Sequence, residues 1–103
     1  ALRASAKLWQ DVTAEIGTNT TSDPDALGAS SVDYLFLSAY VCLAYWWAVS
    51  AQVAKASGDT AMAKAKLETA RFYYARILPR AAMHAAGIRS GSASLMALDA
   101  DQF

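Results

Sequence analysis

Residues Val32 to Ala56, VDYLFLSAYVCLAYWWAVSAQVAKA, constrain this chain more than any other stretch. From Tyr34 to Ala51 there is no charge, and Tyr40, Tyr45, Trp46 and Trp47 sit in the middle. Traced at helical spacing, every side is apolar. Leu35, Ala39, Cys42, Trp46 and Val49 form one stripe; Phe36, Tyr40, Leu43 and Trp47 form a second; Leu37, Val41 and Ala48 form a third. A helix apolar all round must be covered all round. The segment is therefore the central helix of a bundle or a membrane span.

The length reaches the threshold for a span. The aromatics argue against it, because Tyr and Trp favour the two membrane interfaces and here they crowd the centre. Flanking basic residues are also sparse. The decisive point lies outside the segment, where two amphipathic helices need a surface for their apolar stripes. In the first, Leu2, Ser5, Trp9, Val12 and Ile16 recur at steps of three and four over Ala1 to Ile16. Arg3, Lys7, Asp11 and Glu15 take the opposite side, and Gly17 is expected to end the helix. In the last, Ala63, Leu67, Ala70, Tyr74, Ile77, Ala81, Ala85 and Ile88 keep the period for seven turns. Pro79 interrupts that run by removing the bond to residue 75 and crowding its carbonyl. A kink, or two abutting helices, is expected there.

The connections complete the pattern. Residues 18–31 are aperiodic and rich in turn formers. Asp23-Pro24 reads as the start of one helical turn before Gly28, and Ser30 with Asp33 as a near capping box for the central helix. Ser57-Gly58 ends that helix and Asp59 or Thr60 caps the next. Gly91 stops the last long helix, Ser92 to Leu98 suggest one more short helix, and Asp99 to Phe103 form a tail. The expected fold is all-α, a single domain over 1–103. It is an antiparallel bundle of three main helices, the third kinked at Pro79, with short extra helical turns.

Chemistry is thinly represented. Nine basic and nine acidic side chains cancel, so there is no electrostatic footprint for nucleic acid. The single cysteine, Cys42, permits no internal disulfide and reads as a small buried hydrophobe. The five glycines do not compose a phosphate cradle, and one histidine does not supply the ligands of a catalytic metal. One constellation remains: Arg76, Arg80 and His84, spaced to line one helix face over about 12 Å. It suits a phosphate, the carboxylates of a neighbouring domain, or plain solvent.

From Asp23 onward the chain resembles the C-terminal helical domain of long bacterial acyl-CoA dehydrogenases, the acetyl-CoA dehydrogenase C-terminal-like family, including the 3-methylmercaptopropionyl-CoA type. The resemblance rests on Asp23-Pro24-Asp25-Ala26-Leu27-Gly28, Asp33-Tyr34-Leu35, Arg71-Phe72-Tyr73 through Leu78-Pro79-Arg80, and Ser94-Leu95-Met96-Ala97-Leu98. It covers Ala1 to Ser22 only loosely. It implies a bacterial, cytoplasmic parent flavoprotein of fatty acid metabolism that binds FAD and oxidises acyl-CoA to the 2,3-enoyl-CoA. This chain is then its C-terminal fragment, with the upstream dehydrogenase domains as partner. The family's catalytic glutamate matches neither Glu15 nor Glu68, so no catalytic, cofactor-binding or metal-binding residue is carried over. Arg76, Arg80 and His84 are left as candidate contacts to domain or ligand, and surplus apolar surface as a route to a homo-oligomer. The alternative is a stand-alone helical interaction or ligand-binding module.

Overall fold

The computed structural model describes all residues from 1 to 103. Four α-helices follow one another: α1 (Leu2–Asn19), α2 (Ala26–Ala56), α3 (Ala61–Phe72) and α4 (Arg80–Arg89). A π-helical turn, Tyr73–Ile77, joins α3 to α4, and a 3-10 turn, Ala100–Gln102, lies near the C-terminus. There is no strand. α1 runs antiparallel to α2, as the hydrogen bond between the Thr13 and Tyr34 hydroxyls (2.8 Å) and the groove that Leu2 and Trp9 share with Tyr45 and Trp46 require. α3 and α4 return along α2 in the opposite sense, from Lys66 beside Trp47 to His84 beside Asp33.

The core is one thin line. Leu37, Val41 and Ala44 of α2 meet Val12 of α1, Tyr73 and Leu78 around the π turn, and Ala81, Ala85 and Ile88 of α4. The alanines let α4 approach α2 closely, and Leu37 and Val12 are the largest side chains wholly shielded from solvent. Only 15 of the 103 residues are buried. The Cα radius of gyration is 18.0 Å, against about 13 Å for a compact domain of this length. The principal extents, 62 × 29 × 14 Å, describe a slab.

Several boundaries differ from expectation. α1 continues through Gly17 to Asn19, and its end is held by Thr20, whose hydroxyl and N–H both bond to Ile16 O. α2 starts at Ala26 rather than near Val32 and passes through Gly28, Ser30 and Asp33. Ser30 therefore does not cap it; its hydroxyl donates back to Leu27 O within the first turn. Thr60 does cap α3, accepting from Ala63 N–H at 3.1 Å. Gly58 (φ +83°) and Gly91 (φ +72°) end α2 and α4 in the left-handed region that glycine tolerates. Ser92 to Leu98 form turns and bends instead of a helix, and the last residues wind into the 3-10 turn where a plain tail was expected.

The larger difference concerns α2. It was expected to be covered on every side, yet Leu35, Trp46 and Val53 are 66%, 61% and 61% exposed and Cys42 is exposed as well. The reason is the count of neighbours. Three helices pack on its inner side, and α1 and α3 reach only the margins of the outer side, where Leu2 and Ala6 border a groove with Cys42 and Trp46, and Met62 one with Val49 and Val53. By length and composition α2 is the one helix able to cross a membrane. Its inner face is taken up by α1, α3 and α4, as that of a packed helix would be.

Before Pro79 the hydrogen-bond register widens. Leu78 N–H bonds to Tyr73 O, five residues back, at 2.9 Å. Proline cannot donate to residue 75, and the wide turn carries the chain past that missing bond. It also brings two consecutive tyrosines onto α2: the Tyr73 hydroxyl donates to Tyr40 O and the Tyr74 hydroxyl to Ala44 O.

Candidate functional site

The polar centre of the molecule lies between α2 and α4. His84 Nδ1–H donates to Asp33 Oδ1 at 2.7 Å, and the His84 side chain is only 13% exposed. Its ring stacks on Phe36 (centroids 5.2 Å apart, planes 12° apart) and on Tyr40 (5.7 Å, 28°). Phe36 and Tyr40 lie one turn apart on α2, so the imidazole fits against both. The carboxylate has room because residue 87 is glycine. A β-carbon there would stand 2.6 Å from Asp33 Oδ2. Five residues from two helices thus build one clamp.

This arrangement divides the row Arg76, Arg80 and His84. Arg76 and Arg80 are exposed to solvent, whereas His84 turns inward to a carboxylate. Asp33, expected at the helix N-terminus, sits two turns inside α2 and takes His84 as its partner. Spacing alone did not reveal the pair, because its members are 51 positions apart.

A carboxylate bonded to imidazole Nδ1–H is how hydrolases orient a catalytic base. A nucleophile is the missing part. The serine hydroxyls in hydrogen bonds give them to backbone carbonyls or, for Ser92, to Asp23 at 2.6 Å, and none pairs with His84. No group of three His, Cys, Asp or Glu side chains converges as metal ligands would. The Asp33–His84 clamp therefore reads as a fastener between helices, and the Ser92–Asp23 bond fastens the C-terminal segment to the α1–α2 connection. Glu15 and Arg89 add a two-pronged ion pair at 3.0–3.2 Å between α1 and α4. That bond to Glu15 raises the Arg89 pKa.

Burial acts visibly on the two tyrosines. Loss of water around Tyr73, reinforced by Tyr40, Tyr74 and Cys42, pushes its hydroxyl up to about 12, and burial raises Tyr74 as well. Both stay protonated at neutral pH and serve as donors. Trp9 is less well provided, since its buried indole N–H has no partner.

Two grooves border α1 and α2. One of about 370 Å³ is wholly apolar, with Leu2, Ala6 and Trp9 on one wall and Val41, Cys42, Tyr45 and Trp46 on the other. Cys42 thus faces an open groove rather than the core, which corrects the buried role expected of it. The second, about 710 Å³, mixes Leu27 and Leu35 with the hydroxyls of Thr13, Tyr34 and Ser38. Neither contains a charged side chain.

Compared with known proteins, the chain matches a family model described as Acetyl-CoA dehydrogenase C-terminal like over residues 1–99. The match includes α1, where the resemblance in sequence was loosest. No curated protein and no solved structure matches.

Proposed function

The chain belongs to the acetyl-CoA dehydrogenase C-terminal-like family, and from that premise we propose that it is the accessory C-terminal domain of an FAD-dependent acyl-CoA dehydrogenase. The parent enzyme oxidises an acyl-CoA to the 2,3-enoyl-CoA, and this domain packs against its upstream dehydrogenase domains. The observation that carries the reading is the match over residues 1–99 in a chain without a nucleophile–base pair. The residues here do not fit a flavin: the glycines form no phosphate cradle, and the one buried histidine is occupied by Asp33. Flavin and catalytic base belong to the upstream domains, so no step of the oxidation is assigned to this chain.

The contact to those domains runs along the outer side of the α3–α4 segment. Phe72, Arg76, Arg80 and Met83 follow one another at steps of four, four and three, and all are exposed. An apolar–basic–basic–apolar row suits a surface that offers carboxylates between greasy patches. The test uses the full-length enzyme carrying Arg76→Glu with Arg80→Glu. Loss of thermal stability of the whole enzyme, or a raised KM for acyl-CoA, is expected. Unchanged stability and kinetics would dispose of the contact. The chain by itself, purified, should be colourless and inactive toward acyl-CoA with an artificial electron acceptor; turnover would overturn the accessory role.

A further inference from the structure

The outward side of α2 carries a regular seam. Val32, Leu35, Ala39 and Cys42 are separated by three, four and three residues, and after a step of four Trp46, Val49, Val53 and Ala56 repeat the pattern. Alternation of three and four is the spacing with which one helix lies along another. None of the eight is charged, and all but the half-buried Val49 are exposed. The core-facing line of Leu37, Val41 and Ala44 lies on the opposite side of the same helix. The seam is therefore a second packing surface, bordered by α1 beside Cys42 and Trp46 and by α3 beside Val49 and Val53 but covered by neither.

We propose that a second copy of this chain docks antiparallel along the seam, with the two-fold axis level with Ala44. The sizes of the side chains select that arrangement. About an axis at residue 44, Trp46 meets Cys42 of the other copy, Val49 meets Ala39, Val53 meets Leu35 and Ala56 meets Val32. The bulkiest residue faces one of the smallest, and the apolar groove of about 370 Å³ beside Cys42, walled by Leu2 and Ala6, receives the indole. A parallel pairing would set Trp46 on Trp46 and Ala39 on Ala39, a clash beside a void.

The surface available matches what a dimer requires. The chain exposes 7055 Å², whereas a compact monomer of 11.0 kDa exposes about 5,600 Å². The excess, about 1,400 Å², exceeds the roughly 800 Å² that each partner contributes to a stable interface. The net charge is zero, so two copies do not repel one another. This goes beyond the accessory role and uses a different surface from the Arg76–Arg80 row, so either can fail without the other.

The experiment is sedimentation of the whole 103-residue chain from low to high micromolar concentration. The expected mass rises from 11.0 kDa to twice that value. Trp46→Asp, at a position too exposed to disturb the core, should weaken association by roughly 30-fold or more. Met83→Asp, 63% exposed on α4 and away from the seam, should leave it intact. Orientation is read by oxidation in a Cys42→Ala background. Ala39→Cys and Val49→Cys together give a disulfide-linked dimer and neither alone does. A monomer at every concentration, helical or not, overturns the proposal. So do equal effects of Trp46→Asp and Met83→Asp, or cross-linking by Ala39→Cys alone. Capture by neutral phospholipid vesicles in place of self-association would assign the seam to lipid and overturn it too.

Discussion

Gly87 of α4 lies against the Asp33 carboxylate of α2 so closely that a β-carbon at position 87 would come within 2.6 Å of Oδ2. Gly17 and Gly28, also inside helices, have nothing within 4 Å of such a carbon. The two situations predict opposite signs. Replacing a helical glycine with alanine in open space gains up to about 1 kcal/mol, so Gly17→Ala and Gly28→Ala should raise the urea midpoint. Gly87→Ala must displace Asp33 from His84 and should lower the stability by roughly 1 kcal/mol, the lost charged hydrogen bond outweighing the gain in helix propensity. With Asp33→Ala already in place, Gly87→Ala should turn stabilising. A double-mutant cycle in urea reads this directly, and additive effects would show that Gly87→Ala does not act through Asp33.

Leu37 is wholly buried at the crossing of α1, α2 and α4. Leu37→Ala should cost about 2–5 kcal/mol, a large share of the roughly 5–15 kcal/mol that holds a domain folded. Loss of cooperative thermal unfolding by circular dichroism is the expected readout. A loss under 1 kcal/mol would mean the thin core collapses around the gap.

The Tyr73 hydroxyl, at about 12, predicts alkaline sensitivity. Between pH 10 and 12 the unfolded chain releases the phenolic proton while the folded chain holds it. The stabilisation is therefore complete below pH 10 and is lost as pH rises through 12. Tyr73→Phe should flatten the fall in melting temperature over that window, measured against the parent chain. At neutral pH the same substitution should cost about 1 kcal/mol, the donor to Tyr40 O being lost. Parallel pH profiles for the two proteins would contradict the assignment.

The Glu15–Arg89 pair is about half exposed on both sides. Arg89→Ala should therefore lower the melting temperature only slightly, and the difference should disappear at about 1 M salt, where the Debye length is near 3 Å. A difference that survives salt would point to packing of the Arg89 stem against Leu8 in the groove they share.

The amphipathic helices were legible because their apolar residues keep the 3.6 period, and a cap at Asp59 or Thr60 and the Gly58 and Gly91 stops because local chemistry decides them. Gly17 misled for the same reason turned round. A glycine permits a helix end but does not impose one, and Thr20 three residues later supplies the actual cap. Asp33 looked like the partner of a Ser30 cap since sequence shows only near neighbours, and His84 is 51 positions away. The seam through Cys42 and Trp46 was seen as one of three stripes, but which stripe faces the core depends on how many helices surround α2. Periodicity does not count neighbours.

The 14 Å slab has a consequence for how such a sequence drifts. In a sphere, most apolar positions are held in place by several others, and a change at one is absorbed by many. Here a few side chains along one line of a single rod carry the shape. Selection on this polypeptide by itself therefore grips a narrow ribbon of positions, while its flat sides are free to follow whatever lies across from them.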